Sequence, residues 1–252
     1  MPKRRFVAMN PDIPILCPSK RRKDEPLCSA GILVSNEKDA RRILSSLGNG
    51  KEKREPLFTS QCIYKTVGAH VIAIVSPILG APLVGMVLET LIAKEIPQFL
   101  YIGSAGSFSS KLQIGDLLVA ESAFCQEGTS LQYGGEFGQP VLCNETYCRT
   151  IIMLLDKLNV SFHKGALVTT DAPFRETINF LNSFEKRGAL AIEMEVSALY
   201  KVAEYYQCTA CAILCISDML INNSWQSGFS SKAYIQGQDA FAKIVLSWIN
   251  SL

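Results

Sequence analysis

Short apolar runs alternate with amphipathic stretches along most of the chain. Cys28 to Val34, Gln98 to Ile102, Leu117 to Phe124, Gly165 to Thr169 and Ala210 to Ser217 are apolar runs bounded by polar residues or glycine, the pattern of strands buried on both faces. Cys62 to Tyr64 and His70 to Val75 predict two more strands, joined by a turn at Gly68. Helical spacing runs through Asn36 to Leu47, Leu83 to Lys94, Thr146 to Leu158, Glu193 to Tyr206 and Tyr234 to Leu252. Ser35 or Asn36 is the predicted N-cap of the first helix and Gly48 its stop. Gly80 and Pro82 suit a strand-to-helix turn with proline near the first helical position. Gly48 to Pro56 reads as a charged loop. Strands alternating with helices predict an α/β fold, a three-layer α/β/α sandwich around a central sheet.

The chain has 252 residues, which suits one domain. Residues 1–27 read as a basic, proline-containing leader and residues 28–252 as the domain. The leader's clusters, Lys3-Arg4-Arg5 and Lys20-Arg21-Arg22-Lys23, read as a solvated arm. Met9 to Pro18 is broken by Asn10, Pro11, Asp12 and Pro14, so it is not the apolar core of a secretory signal. No apolar run reaches the ~18–20 residues of a membrane span. Lys plus Arg number 25 against 23 Asp plus Glu, and this near-balance argues against nucleic acid as a partner. Nine cysteines, several inside apolar stretches, suggest reduced core thiols in a cytoplasmic protein. Cys208 and Cys211 form a CxxC, but no second CxxC exists and His70 and His163 are remote. They read as core residues, with no metal and no cofactor expected.

In an open α/β sheet, ligands gather at the carboxyl ends of strands. Ile78 to Pro82, Gly103 to Gly106, Thr169 to Phe174 and Ser217-Asp218 put small or polar residues at such ends. Gly103-Ser104-Ala105-Gly106 reads as a turn whose N–H groups approach an anion or a sugar hydroxyl. Asp218 ends a core strand, where desolvation favours the neutral carboxyl and so a general acid; capping the next turn is its plainer role. Glu193 and Glu195 read as lying near a helix start, on different faces. One enters a site and clamps a vicinal diol; compensation of the helix dipole is the alternative. There is no convincing Ser-His-Asp order, no P-loop and no GxGxxG.

Six segments in order, YIGSAGSF, IGDLLVAESA, EGTSLQY, TTDAPF, AIEMEVSALY and ILCISD, resemble the nucleoside phosphorylase/nucleosidase superfamily from about residue 29 onward. The resemblance implies a nucleoside phosphorylase-like fold with a central mixed sheet and cleavage of an N-ribosidic bond. By position, it implies Asp218 as the acid at N7 of the base, Glu195 on the ribose hydroxyls and Met194 beneath the sugar. Phe174, Ser217 and Gly106 fall at the base, Ser104 on the phosphate or sugar side, and Arg54 at the place of an arginine donated by a neighbouring subunit. It also implies a homo-oligomer and a small-molecule nucleoside as the partner.

The departures bear on the acceptor. Phosphorylases of this family carry a Pro-Gly-Asp-Pro-x-Arg type loop after the first strand. Here that stretch is Val34-Ser35-Asn36-Glu37-Lys38-Asp39, with Asp39 at the arginine position. Tyr101 stands where another phosphate-binding arginine is expected. Bidentate recognition of phosphate by arginine is not readily replaced. Hydrolytic members use an early glutamate, for which Glu37 is the only acid nearby. The uridine-reading Gln and Arg are absent from the stretch after TTDAPF, which favours a purine-type base. The expected function is cleavage of a purine-type nucleoside with water as acceptor. Alternatives are phosphorolysis, with inorganic phosphate as co-substrate, and nucleoside binding without turnover. Asn222 to Phe229, with Trp225, reads as a lid over the base or as plain packing.

Overall fold

The computed structural model describes residues 14–23, 25–221 and 223–252; Lys3-Arg4-Arg5 of the basic leader lies outside them. The strands are β1 (Ala30–Val34), β2 (Glu52–Leu57), β3 (Ser60–Val67), β4 (His70–Ser76), β5 (Gln98–Ser107), β6 (Leu117–Gln126), β7 (Pro140–Leu142), β8 (His163–Thr170), β9 (Ala189–Glu193), β10 (Thr209–Ile221) and β11 (Ser224–Ser227). The helices are α1 (Glu37–Ser46), α2 (Ala81–Ala93), α3 (Thr129–Gln132), α4 (Glu145–Lys157), α5 (Ile178–Glu185), α6 (Val196–Tyr205) and α7 (Lys232–Ile249).

Among the described residues the strands form one sheet in the order β11-β10-β6-β8-β9-β5-β1-β4-β3-β2, with β7 on β6. Parallel and antiparallel pairs coexist, giving the mixed α/β fold expected. β10 also pairs with β5, so β5, β10, β6, β8 and β9 close into a ring. Glycines make room for aromatic rings where the strands are crowded. A β carbon on Gly31 would sit 2.6 Å from the Phe99 ring, and one on Gly103 equally close to the Tyr101 ring. Helices α1, α4 and α7 pack together, as do α2, α3 and α6. Apolar β1 and the mostly apolar first half of β5 run through a core anchored by Phe99, Tyr101, Phe241 and Trp248.

Three elements differ from the sequence reading. Gly48–Pro56 contains an edge strand, β2. Its charged side chains face outward, and Glu52 lies opposite Lys65 on β3, with an ion pair of 3.4 Å. Gly103 to Gly106 is not a turn but the continuation of β5, paired to β10 throughout and to β9 from Gly106. The Glu193–Tyr206 stretch is a strand followed by a helix. Ala189–Glu193 is wedged between β5 and β8, and α6 begins only at Val196. The leader's Arg21 packs on α2, donating its backbone N–H to Ala93 and its side chain to Glu95 at 2.8 Å.

Candidate active site

Asp218 owes its position to a fault in the sheet. The β5–β10 register shifts between Ile216 and Asp218, leaving Ser217 as the extra residue of a bulge. Such bulges re-aim a side chain without ending the strand. Asp218 then lies opposite Gly106, where a β carbon would come within 2.9 Å of its Oδ2. Only glycine leaves the carboxylate room. The Ser217 hydroxyl donates to Asp218 Oδ1 at 2.6 Å and the Trp225 indole N–H to Oδ2 at 2.8 Å. Trp225 reaches it from β11, the hairpin partner of β10. The stretch expected as a lid is therefore, among its described residues, a strand that pins the acid.

Glu193 and Glu195 do not fall on two faces of a helix. Both are buried in the tight link between β9 and α6. Glu193 Oε2 accepts the N–H groups of Glu195 at 2.7 Å and Val196 at 2.9 Å, so this carboxylate satisfies the start of α6. Its other oxygen accepts the Thr169 hydroxyl. Glu195 Oε1 accepts the Gly80 N–H, and its Oε2 the Tyr101 hydroxyl at 2.9 Å. Burial raises the pKa of both carboxyls, and the charge of Glu195 raises Glu193 further. Tyr101 is fully buried and stays protonated, because burial and the nearby glutamates push its phenol well up.

The two acidic centres open onto one cavity of about 800 Å³, within the ~300–1,000 Å³ range of small-ligand sites. Its walls include Met194, Ser104, Gly106, Ser217, Glu176, Trp225 and Lys38. Ser104 meets the Tyr234 hydroxyl, which arrives from α7. Phe174 lies on a single 3₁₀ turn at the rim and is fully exposed, so within this chain it covers nothing. Arg54 lies outside the cavity of its own chain; on edge strand β2 it donates to Glu52 and Gln61. Glu37, the acid expected at the place of the hydrolytic glutamate, pairs with Arg41 across the surface of α1. Asp39 is buried behind the cavity wall, bonded to the wall residues Asn36 and Gln238 and 3.7 Å from Arg42, and does not itself line the cavity. Neither is an acid facing a bound nucleophile.

Three wall residues were not singled out as ligands from sequence. Glu176 follows the TTDAPF segment, and burial, then the charge of Asp218, push its carboxyl up to about 7. Trp225 was weighed only as a lid or as packing. Lys38 is the one cation among the described lining residues. Tyr101, off the wall, was read only as a missing arginine. The signal for it was present: a lone hydroxyl inside an otherwise apolar run. Nothing local marks Glu176, because its value depends on Asp218, remote in sequence.

The chain as a whole matches a known family. A family model described as the phosphorylase superfamily matches residues 29–250, and the chain belongs to that superfamily. It is 27% identical over 146 residues to the purine nucleoside phosphorylase DeoD-type 1 of Shewanella oneidensis, covering 58% of this chain and 62% of that one. The chain thus spans about three-fifths of that relative's length. In structure it resembles uridine phosphorylase of Vibrio fischeri, with a TM-score of 0.78, 23% identity and coverage of 90% of this chain and 93% of that one. It also resembles futalosine hydrolase of Helicobacter pylori, with a TM-score of 0.75, 19% identity and coverage of 90% and 99%.

Proposed function

We propose that this protein cleaves the N-ribosidic bond of a purine-type nucleoside, with water as the acceptor. The observation that carries the reading is the opening of Asp218 and Glu195 onto a single cavity of nucleoside size. As the bond from the anomeric carbon to the base nitrogen breaks, its electron pair leaves with the base and the sugar gains oxocarbenium character. Asp218, held by Ser217 and Trp225, delivers a proton to N7 of the departing base. Glu195, its oxygens aimed by Gly80 and Tyr101, accepts from the ribose hydroxyls, with Met194 packed at the sugar. Gly106 and Ser217 border the base. Water then bonds to the anomeric carbon and gives up a proton, which restores Asp218.

The scarcity of cations in the walls supports water over phosphate. Among the described lining residues Lys38 is the one cation, and it stands alone beside Glu176, Glu193, Glu195 and Asp218. Such a wall offers a phosphate dianion little positive charge to bind. A second reading, phosphorolysis, draws on Lys38 and the Ser104–Tyr234 hydroxyl pair as a phosphate subsite; inorganic phosphate is then the co-substrate. No other cofactor enters either route. We further read the chain as a homo-oligomer, because Phe174 and Leu79, 100% and 70% exposed, rim a cavity that a second copy would cover. Light scattering tests that state.

The decisive assay incubates the protein with adenosine, inosine, methylthioadenosine, futalosine and uridine, with and without phosphate, and follows free base and sugar. Free pentose without phosphate supports hydrolysis. Pentose 1-phosphate formed only with phosphate replaces it by phosphorolysis. Binding by calorimetry without base release reduces the protein to a nucleoside binder.

A further inference from the structure

Far along β10 from Asp218, three cysteines meet. Cys143 follows β7, Cys148 lies in the second turn of α4 and Cys211 lies in the first half of β10. All three are buried, and their sulfurs lie within 4.8 Å of one another. The CxxC of the sequence does not close: Cys208 stays outside this group, half-buried. We propose that Cys143, Cys148 and Cys211 hold one thiophilic divalent cation, zinc in kind, in a three-sulfur site separate from the nucleoside cavity.

Geometry is the first argument. A zinc–sulfur bond of ~2.3 Å in a trigonal site puts the sulfurs ~4 Å apart, so three thiols already this close need only small shifts. Three separate segments supply the ligands, and among the described residues Cys143 is the one of the three that donates to a carbonyl, that of Ala210 at 3.2 Å.

The surroundings also suit the charge of such a site. Three thiolates and a divalent cation leave one net negative charge. Asn144 caps α4, so the positive end of that helix starts between Cys143 and Cys148 and offsets this charge. Binding is balanced: each thiol loses its proton to solvent as its sulfur bonds the metal, with no oxidation.

A cavity of about 100 Å³, lined by Asn144, Tyr200, Glu204, Cys208 and Ala210 among others, lies beside the thiol group. Tyr200 and Ala210 border both. A soft ion fits this donor set better than magnesium or calcium, which take oxygen ligands.

The test is titration of the reduced, full-length protein with cadmium under anaerobic conditions. The expected result is a thiolate-to-cadmium charge-transfer band that saturates at one cadmium per chain and is displaced by zinc. Cys143→Ser and Cys148→Ser, each alone, should weaken binding more than about 100-fold, the upper end of what even an outer-shell change costs. Cys62→Ser, a buried cysteine on β3, should leave the band unchanged. Circular dichroism of each variant separates loss of the site from loss of the fold. Should a variant fail to fold, cadmium-113 NMR of the wild-type protein decides, since its shift reports the number of bound sulfurs. A missing band, a band unaltered in folded Cys143→Ser and Cys148→Ser proteins, or a shift without three sulfurs overturns the proposal.

Discussion

The Tyr101 hydroxyl donates to Glu195 Oε2 at 2.9 Å from inside a fully buried strand position. The phenol ring packs over Gly103, the one residue type that leaves it room. Tyr101 therefore acts on the site through Glu195 and is a positioning residue. Tyr101→Phe keeps the ring and removes one charge-assisted hydrogen bond, an interaction of ~1.5–3 kcal/mol. The expected result is a 10- to 100-fold fall in kcat/KM, with a cooperative thermal transition retained. Steady-state kinetics on the best nucleoside checks this; an unchanged kcat/KM detaches Tyr101 from the chemistry.

Asp218→Asn preserves shape and removes the proton donor. A general acid is typically worth ~10²–10⁴ in rate, and a loss of that order in kcat is expected. Trp225→Phe leaves the carboxyl but removes the donor on Oδ2 that aims it, so its loss should be about tenfold, as for one hydrogen bond of ~1.4 kcal/mol. If Trp225→Phe costs as much as Asp218→Asn, the indole has a direct role at the base beyond holding the acid.

The alternation of buried runs and amphipathic stretches disclosed most strands and helices, because strands buried on both faces are written as unbroken apolar runs. It did not disclose β9 or β11. β9 is too short to show a period, and β11 is polar, since its residues lie exposed on a sheet edge. The motifs around Asp218 and Glu195 led to the cavity, but their partners stayed hidden. Trp225 reaches Asp218 only because β10 turns back on itself, and Glu176 gains its character first from burial in the folded chain and then from an acid 42 positions away in sequence. The direction of the Asp39 side chain was not legible either, because position after a strand does not fix it; Asn36 and Gln238 hold it inside.

Glu176 gives the site a pH dependence of known sign. Its folded-state pKa is raised from 4.5 to about 7, by burial first and the charge of Asp218 second. Its folded-state preference for the proton is thus fully present below pH 4.5 and lost as pH rises toward 7. Glu176→Gln stays neutral throughout. Relative to that variant, the wild-type melting temperature should be level at low pH and fall between pH 4.5 and 7. Thermal scans of both proteins across this range give the difference directly. A difference that does not vary with pH would place the Glu176 carboxyl in solvent at its ordinary value.

Gly106 tests whether the bulge serves the acid or only the fold. A β carbon there would lie 2.9 Å from Asp218 Oδ2 and 3.1 Å from Leu220 Cδ1, both side-chain atoms, and no backbone atom is among its nearest contacts. The backbone can therefore remain while the carboxylate swings away, losing its alignment with Ser217 and Trp225. Displacements of ~1 Å in a reacting group can cost ~10²-fold in rate. Gly106→Ala should thus lower kcat by about 100-fold, in the range of Asp218→Asn, while the melting temperature shifts by only a few degrees. The double variant Gly106→Ala/Asp218→Asn should be no slower than Asp218→Asn alone, because both changes remove the same contribution. Losses that multiply in the double variant would mean that Gly106 acts on the substrate itself rather than through Asp218.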